Sequence, residues 1–357
     1  MNKKYSDWLR IDLHIHTDKS RETKEDDYKG IFSVTTLKQK MIENNVGIFS
    51  LTDHNIINKD AYSEYYDSCT EDDPLLLLGV ELDIQGTSKV YHSLLIFNYK
   101  SKESAIEIGD RLEAKYVQKG ITNKKQRVLT IDEIIELFPE DDFFFIPHAG
   151  NTKSIVDGHR VDIQDAQKMV LLMQSAFEKV PEKARQKYNE GFDTVLFEAF
   201  RNKDDIAYIE FSDNHNIGRY PCTHKGDDGS QHCFYYIKGN KSYETLRLAF
   251  IDPKSRIKSQ EEYNQIDRTL QTINNLKIEE DILVHENELF FSPHLNVIIG
   301  GRSSGKSLLM HVLGEKIEQT NIDDKYQVDL NKFTIKSSLD IGYKNHISVI
   351  SNLIYIN

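Results

Sequence analysis

Apolar, β-branched runs alternate with amphipathic segments from the start of the chain to about residue 250. Eight runs predict strands: WLRIDLHI, VGIFSLTD, PLLLLGVEL, KVYHSLLIF, DDFFFIPHA, DTVLFEAF, IAYIEFSD and CFYYIK. Between them, TTLKQKMIENN, TIDEIIELF and DAQKMVLLMQSAF have the periodicity of helices. This alternation is typical of parallel strands joined by crossover helices, in a barrel or a wound sheet. In a barrel, the active site would lie where the carboxyl ends of the strands converge.

A charged segment, residues 99–128, interrupts this alternation and is predicted to be a helical insertion. Its basic residues are Arg111, Lys115, Lys119, Lys124, Lys125 and Arg127. Two interpretations stay open for them: a solvated helix face, or a basic lid over a phosphate-rich substrate. Later, the polar stretch KSQEEYNQIDRT predicts a junction over 258–281 that separates a first domain, 1–257, from a second, 282–357.

Composition narrows the class of protein. The chain has 357 residues, 39% of them apolar, which is enough for a sizeable core. A net charge of −12 argues against a broad basic face for nucleic acid, although bound cations could still create a local positive site. No apolar run is long enough to cross a membrane and no secretory signal is seen, so we expect a cytoplasmic protein. The three cysteines lack CxxC spacing, which argues against a disulfide framework or a cysteine-type zinc site.

Histidines and acids gather at or near the ends of the predicted strands. In DLHIHT, His14 and His16 are two positions apart, so their imidazoles would share one face of a strand. Later strands add Asp53, His54, Glu81, His92, His148, Asp213 and His215. Imidazole and carboxylate ligands without cysteine suit zinc, manganese, iron or magnesium. Because the set exceeds what one ion needs, the sequence predicts a metal cluster in which a bridging hydroxide would attack a phosphoryl group.

The ordered motifs DLHIHT, LTDHN, GVEL, YHSLLIF, PHAG and SDNH resemble the PHP (polymerase and histidinol phosphatase) domain family over about residues 8–250. The resemblance implies an α/β fold, a distorted (βα)7 TIM-like barrel. It also implies two or three divalent metal ions and cleavage of phosphoester bonds.

The same resemblance implies ligands for each ion. The first ion and the bridging catalytic water would be held by His14, His16, Glu81 and Asp213. The second ion would share Glu81 and be bound also by His92 and His148. The third would be bound by His54, His215 and a residue after Ser20, for which the chain offers Glu22, with Asp26 or Asp27 as alternatives. Asp12 and Asp53 would orient ligand imidazoles, although backbone hydrogen bonding accounts for both equally well.

A second motif, G-x-x-x-x-G-K-S, follows the predicted strand LNVII and precedes the predicted helix SLLMHVL. It comprises Gly300, Gly301, Arg302, Ser303, Ser304, Gly305, Lys306 and Ser307. In a P-loop, backbone N–H groups cradle phosphates, the lysine reaches the terminal ones and the serine binds Mg²⁺. The motif resembles that of ABC, SMC and RecF ATPases, which implies ATP, Mg²⁺ and association of two ATPase heads. Only fifty residues follow Ser307, so we expect an incomplete ATPase domain that a longer polypeptide or a partner would complete.

These observations predict a metal-dependent phosphoesterase. A PHP barrel paired with such a P-loop resembles bacterial fusion proteins, some of them associated with defence against phage, and this pairing slightly favours a nuclease gated by an ATPase. The acidic net charge favours instead a small phosphoester or nucleotide as the substrate. A third interpretation is a non-catalytic, nucleotide-sensing interaction module.

Overall fold

The computed structural model describes residues 7–25, 27–149, 153–155, 176–178, 207–266, 273–278, 287–292, 295–310, 313 and 333–337. The chain divides into two compact units. The first contains Trp8–Gln265, and the second contains the described residues from Ile266 onwards. None of the helices in these described ranges has the length and apolar character needed to span a bilayer.

The first unit contains ten strands and eight short to medium helices within the described residues. The strands are β1 (Asp7–Ile15), β2 (Val46–Leu51), β3 (Leu75–Gln85), β4 (Val90–Phe97), β5 (Leu129–Thr130), β6 (Phe143–Pro147), β7 (Ala176–Glu178), β8 (Ala207–Ile209), β9 (Tyr235–Gly239) and β10 (Ile257–Ser259). The helices are α1 (Ser20–Thr23), α2 (Val34–Glu43), α3 (Lys59–Ser68), α4 (Lys102–Gln118), α5 (Ile131–Leu137), α6 (Tyr243–Ile251), α7 (Pro253–Arg256) and α8 (Gln260–Asn264).

The strands form a curled mixed sheet in the order β10-β9-β1-β2-β3-β4-β6, with β5 beside β3 and a separate β7-β8 pair. Strands β1, β2 and β3 are parallel, whereas β4 is antiparallel to both β3 and β6. Isolated bridges link His148 to Glu178 of β7, and Ile15 of β1 to Asn214 after β8. The β7-β8 region therefore connects to both β6 and β1, an arrangement compatible with a distorted barrel.

The sequence predicted parallel strands throughout, and β4 departs from that expectation. Only residues 86–89 connect β3 to β4, which is too short for a crossover helix and imposes an antiparallel pair. The helix predicted over 165–177 is wrong at its end, because Ala176 and Phe177 belong to β7; residues 165–175 lie outside the described part, as does the predicted strand DTVLFEAF. The predicted junction at 258–281 begins within β10 and α8.

The sheet is apolar on both faces, which explains the continuous hydrophobic runs. Adjacent residues of β2 point to opposite faces and belong to different core clusters, with Ile48 in one and Phe49 in the other. The Ile48 cluster includes Leu246 and Phe250 of α6. The Phe49 cluster includes residues of α2 and α3, such as Leu37, Met41, Ala61 and Tyr62. Since buried strands covered on both faces resist slippage, the polar residues at their ends are held firmly in place.

The described part of the second unit is a three-stranded antiparallel sheet in the order β12-β11-β13, formed by β11 (Ile273–Ile278), β12 (Asn287–Phe290) and β13 (Phe333–Ser337). The strand predicted at LNVII is wrong, because residues 295–300 have no strand partner among the described residues. Leu295, Val297 and Ile299 are exposed there. Residues 306–310 are helical, as the motif predicted.

Candidate metal centre

Four predicted ligands meet at the end of β1. The Nε2 atoms of His14 and His16 are 3.0 Å apart, and each lies 3.2 Å from Oδ1 of Asp213 and 3.5 Å from Oε2 of Glu81. His14 and His16 are fully buried, and Glu81 is almost so. The structure therefore brings together the residues predicted for the first ion. We call them the first subsite.

Glu81 lies at the centre of a wider group. Its Oε2 is 2.6 Å from Nδ1 of His54, and its Oε1 is 2.5 Å from Nδ1 of His92 and 3.5 Å from Nε2 of His148. The two oxygens of one carboxylate thus face different sets of imidazoles. That is the arrangement expected of a bridging ligand, and it is the position in which Glu81 was predicted to serve two ions.

The carboxylate near His54 and His215 is not the predicted one. Glu22 instead pairs with Lys19 at 2.9 Å and with Lys124 at 2.5 Å. Asp27, an alternative in the sequence analysis, places Oδ2 2.6 Å from Nε2 of His54 and Oδ1 3.5 Å from Nδ1 of His215. The helix α1 ends at Thr23, and the chain after it carries Asp27 back to the cluster. The other alternative, Asp26, lies outside the described residues.

Two further carboxylates join the group and were missed by the sequence analysis. Glu178 at the end of β7 is fully buried; its Oε1 lies 2.7 Å from Nδ1 of His14 and its Oε2 3.0 Å from Nε2 of His148. It was overlooked because its segment was predicted to be a helix. Asp83 lies 2.6 Å from Nε2 of His92, its cross-strand partner in β4. Its signal was present, since Asp83 is two positions after Glu81 in one strand.

Asp12 and Asp53, which were predicted to orient imidazoles, are buried beside the cluster. Both accept hydrogen bonds mainly from residues of the neighbouring loops. Asp12 accepts hydrogen bonds from the Tyr220 hydroxyl at 2.9 Å and from the backbone N–H of Ser212 at 3.1 Å. Asp53 accepts from Thr17 and from the Ser20 hydroxyl, all at 2.7 Å. Ser20 Oγ lies 2.8 Å from Nδ1 of His16, so Asp53 reaches that imidazole only through Ser20.

The backbone is strained around these side chains. Six described residues other than glycine have positive φ, and four of them flank the cluster: Asn55, Lys153, Asp213 and His224. At Asp213, with φ of 50°, the left-handed turn directs the carboxylate towards His14 and His16. Such conformations cost free energy and persist where the surrounding fold enforces them, commonly at functional sites.

Electrostatics favour a cation in this site. Burial lowers the pKa of His14, but the carboxylates of Glu178, Asp213 and Glu81 outweigh it and raise the pKa to about 10. Burial also lowers the pKa of His54, but Glu81 and Asp27 outweigh it and raise the pKa to about 9. Burial and the neighbouring His215 hold the pKa of His16 well below its usual range. The acids therefore create a negative potential that positive charge must offset.

The donor set fits divalent metal ions. Two ligands of one ion, each bonded at about 2.0 to 2.2 Å, lie about 3.0 to 3.5 Å apart, which matches the spacings in the first subsite. Oε2 of Glu81, Oε2 of Glu178 and Oδ2 of Asp27 are buried without a hydrogen bond, although histidine nitrogens lie within 3.0 Å of each. A shared cation would satisfy these carboxylate oxygens together with the histidine nitrogens beside them. Several such groups exist, including His16 with His54 and His215, and His54 with Glu81 and His92.

The charged insertion does not form a basic lid. Arg111 makes a bidentate pair with Asp141, Arg127 with Glu113, and the insertion's lysines lie near other acids. Of the two interpretations of this segment, the solvated helix face agrees better with these contacts, because most of the basic groups pair with acids outside the insertion.

The P-loop residues lie in the second unit and are exposed, except for the half-buried Lys306. The Lys306 ammonium donates hydrogen bonds to the carbonyls of Gly300 and Gly301, both at 2.6 Å. Gly305 has φ of 87°, which only glycine adopts freely, at the start of the helix. The lysine thus closes the loop on itself where a phosphate would be bound.

Comparison with known proteins finds distant structural likeness only. No protein-family profile matches the chain, and no curated protein does. A protein from Bifidobacterium adolescentis, provisionally described as a metal-dependent phosphoesterase, is 12% identical, with a TM-score of 0.37 over 67% of this chain and 94% of its own. PsfC from Pseudomonas syringae is 10% identical, with a TM-score of 0.38 over 65% and 82%.

An amidohydrolase from Chromobacterium violaceum is 11% identical, with a TM-score of 0.38 over 71% of this chain and 99% of its own. Likeness at this level assigns no activity. The function of the chain therefore has to be inferred from the side chains of the metal centre.

Proposed function

We propose that the first unit is a metal-dependent phosphoesterase. The observation that supports this most strongly is the first subsite, where His14, His16, Glu81 and Asp213 place four donor atoms within 3.5 Å of at least two others. These residues come from the end of β1, from β3 and from the loop after β8, so only the folded unit assembles them. The shared carboxylate of Glu81 supports a site for more than one ion.

The residues of the chain have distinct tasks in this proposal. Glu81 would be shared between ions, with His92 and His148 on one side and His54 on the other. Glu178 fixes the imidazole of His14 by its contact with Nδ1 and leaves Nε2 directed towards Asp213. Divalent ions held there would supply Lewis acidity at the phosphoryl group and a reactive water at neutral pH. Elemental analysis of the purified chain would identify the metal among zinc, manganese, iron and magnesium.

A small phosphate ester is the substrate that the structure favours. The basic residues of the insertion contact acids of the same unit, so they do not offer a continuous surface for a polyanion. The net charge of −12 also disfavours a long nucleic acid.

A nuclease is the second candidate, and one observation supports it. The sequence G-x-x-x-x-G-K-S at 300–307 precedes a helix, which is the context of an ATP-binding loop. In this version, a completed ATPase would associate with a second copy through its heads and control the barrel, and a role in defence against phage would follow from that coupling alone.

A substrate panel tests the proposal. The purified chain, loaded with Mn²⁺, would be assayed on p-nitrophenyl phosphate, a set of nucleotides, plasmid DNA, single-stranded DNA and tRNA. We expect phosphate release from small esters that chelation by EDTA abolishes and Mn²⁺ restores. Cleavage of polymers without turnover of small esters would support the nuclease instead. No turnover of any substrate by protein that contains metal would contradict both, and would leave the non-catalytic module.

A further inference from the structure

Two lysine ammonium groups face the metal centre from its solvent side. The Nζ of Lys24 lies 3.1 Å and 3.2 Å from the ring nitrogens of His54, and 3.4 Å from Nε2 of His92. The Nζ of Lys153 lies 2.8 Å from that same His92 nitrogen. Lys24 is 26% exposed and Lys153 is exposed. A ligand entering from solvent would therefore meet both ammonium groups together.

The fold fixes both lysines in this position. Lys24 lies between Glu22 and Glu25, which pair with Lys124 and Lys125 of the insertion. The two acids are thus tied to the insertion, while Lys24 is directed to the histidines. The insertion, which forms no lid, positions this lysine.

Lys153 is held by the backbone on both sides. Its carbonyl accepts a hydrogen bond from the N–H of His92 at 3.0 Å, and the N–H of Ile155 donates to the carbonyl of His148 at 2.9 Å. Its φ of 51° is unfavourable for a residue with a side chain, so the contact with His92 is maintained at a cost.

The carboxylate nearest to Lys24 makes closer contacts with other groups than with this lysine. The carboxylate that Lys24 approaches is Asp83, at 3.9 Å, and Asp83 already contacts His92 at 2.6 Å and the amide of Asn55 at 3.0 Å. Asp83 and Glu81 attract Lys153, but the two ammonium groups lie beside the same imidazole and repel each other, and an anion bound between them would relieve that repulsion. Among anions, a terminal phosphate carries close to two negative charges at neutral pH and three acceptor oxygens.

We infer that Lys24 and Lys153 form a phosphate-binding pair, which holds the non-bridging oxygens of a phosphoryl group against the metal centre and favours phosphomonoesters over phosphodiesters. This inference rests on the proposed function and specifies its substrate class. Lysine is a common phosphate ligand because its ammonium acts as a compact point charge. A dianionic monoester matches two ammonium groups, whereas a diester carries a single charge.

Binding of inorganic phosphate tests the inference directly. The metal-loaded chain would be titrated with phosphate by calorimetry, and compared with K24Q, K153Q and the double variant. The control is K102Q, since Lys102 is paired with Asp67 at the surface. Each single variant should weaken phosphate binding about 10-fold or more, the effect of losing a charged hydrogen bond, while K102Q should leave it unchanged. Metal content, measured by mass spectrometry on the same samples, should stay constant.

Kinetics on two model esters give the specificity. In K24Q and K153Q, we expect a rise in KM for p-nitrophenyl phosphate larger than the rise for bis(p-nitrophenyl) phosphate. Unchanged phosphate affinity in the double variant would overturn the inference. So would a gain of metal in the variants without loss of phosphate affinity, because the ammonium groups would then be taking the place of a cation.

The outcomes separate this inference from the proposed function. Hydrolysis of esters that is indifferent to both lysines would overturn the inference alone. Phosphate binding that depends on both lysines, in a chain that hydrolyses nothing, would contradict the proposed function and support the binding pair.

Discussion

The metal centre and the P-loop differ in how they are assembled. Donors of the metal centre come from β1, β3 and β4 and from loops as far apart as Asp27 and His215, and most of them are buried. The P-loop is eight consecutive residues, all exposed except the half-buried Lys306, which is hydrogen-bonded to its own loop. A dispersed site exists only when its fold is complete. A local motif is visible in sequence even where a surrounding fold is not.

This contrast places the expected activity in the first unit. Its site already contains mutually oriented donors, buried carboxylates and strained backbone, whereas the described part of the second unit offers a loop without the predicted strand before it. Substitutions in the two regions should therefore differ in their effects, from a large loss at Glu81 to almost none at Lys306.

Glu81→Gln should have the largest effect. The amide keeps the shape of Glu81 but removes the negative charge that His14, His54 and His92 share. Metal affinity and activity should therefore fall by about 100-fold or more, which exceeds the usual effect of losing a residue that only orients a ligand. Elemental analysis and Mn²⁺-dependent hydrolysis of p-nitrophenyl phosphate measure this. E71Q, a change at an exposed glutamate, is the matched control. Full activity of E81Q would show that the first unit does not bind metal as described.

Glu178→Gln should have an intermediate effect. Glu178 holds Nδ1 of His14 at 2.7 Å without belonging to the predicted ligands, and loss of such a partner lowers metal affinity or activity by about 10- to 100-fold. A chelator competition assay on the variant measures the affinity. An affinity equal to that of the native chain would mean that His14 needs no orientation by this carboxylate.

Asp27→Asn and Glu22→Gln should differ in their effect on metal content. Asp27 contacts His54 and His215, whereas Glu22 is paired with lysines. D27N should therefore lose the most weakly held ion, and E22Q should retain the native metal content. Equal metal loss in both variants, with secondary structure preserved by circular dichroism, would restore Glu22 as a ligand.

Lys306→Ala should have the smallest effect. Lys306 bonds only to the loop's own groups among the contacts described for it, at Gly300, Gly301 and Ser304. Metal content and basal ester hydrolysis by the first unit should stay within about twofold of the native values. Loss of basal hydrolysis in K306A would mean that the two units act as one.

Sequence reasoning found most of the site because its signals are local. A strand places His14 and His16 on one face, and short motifs mark His54, Glu81, His148 and Asp213 at strand ends. These residues lie together in the structure. The strands β1, β2 and β4 were also predicted within two residues at their ends, and β3 extends three residues beyond its predicted end.

The remaining features depend on contacts that no local pattern encodes. Glu178 was missed because a hydrophobic run preceding it has a helical period, and a three-residue strand formed there through tertiary pairing with β8. Asp27 and Glu22 could not be separated by sequence, since the choice depends on which acid the insertion lysines bind. The antiparallel β4 follows from a short loop, which brings Asp83 opposite His92.

Metal stoichiometry tests the central claim most directly. The native chain, purified after equilibration with Mn²⁺ and removal of free ion, would be analysed for bound metal beside H14A. We predict at least two ions per chain in the native protein, and fewer in H14A with the fold retained. Less than one ion per chain, unchanged in H14A, would contradict a multinuclear centre and with it the proposed phosphoesterase.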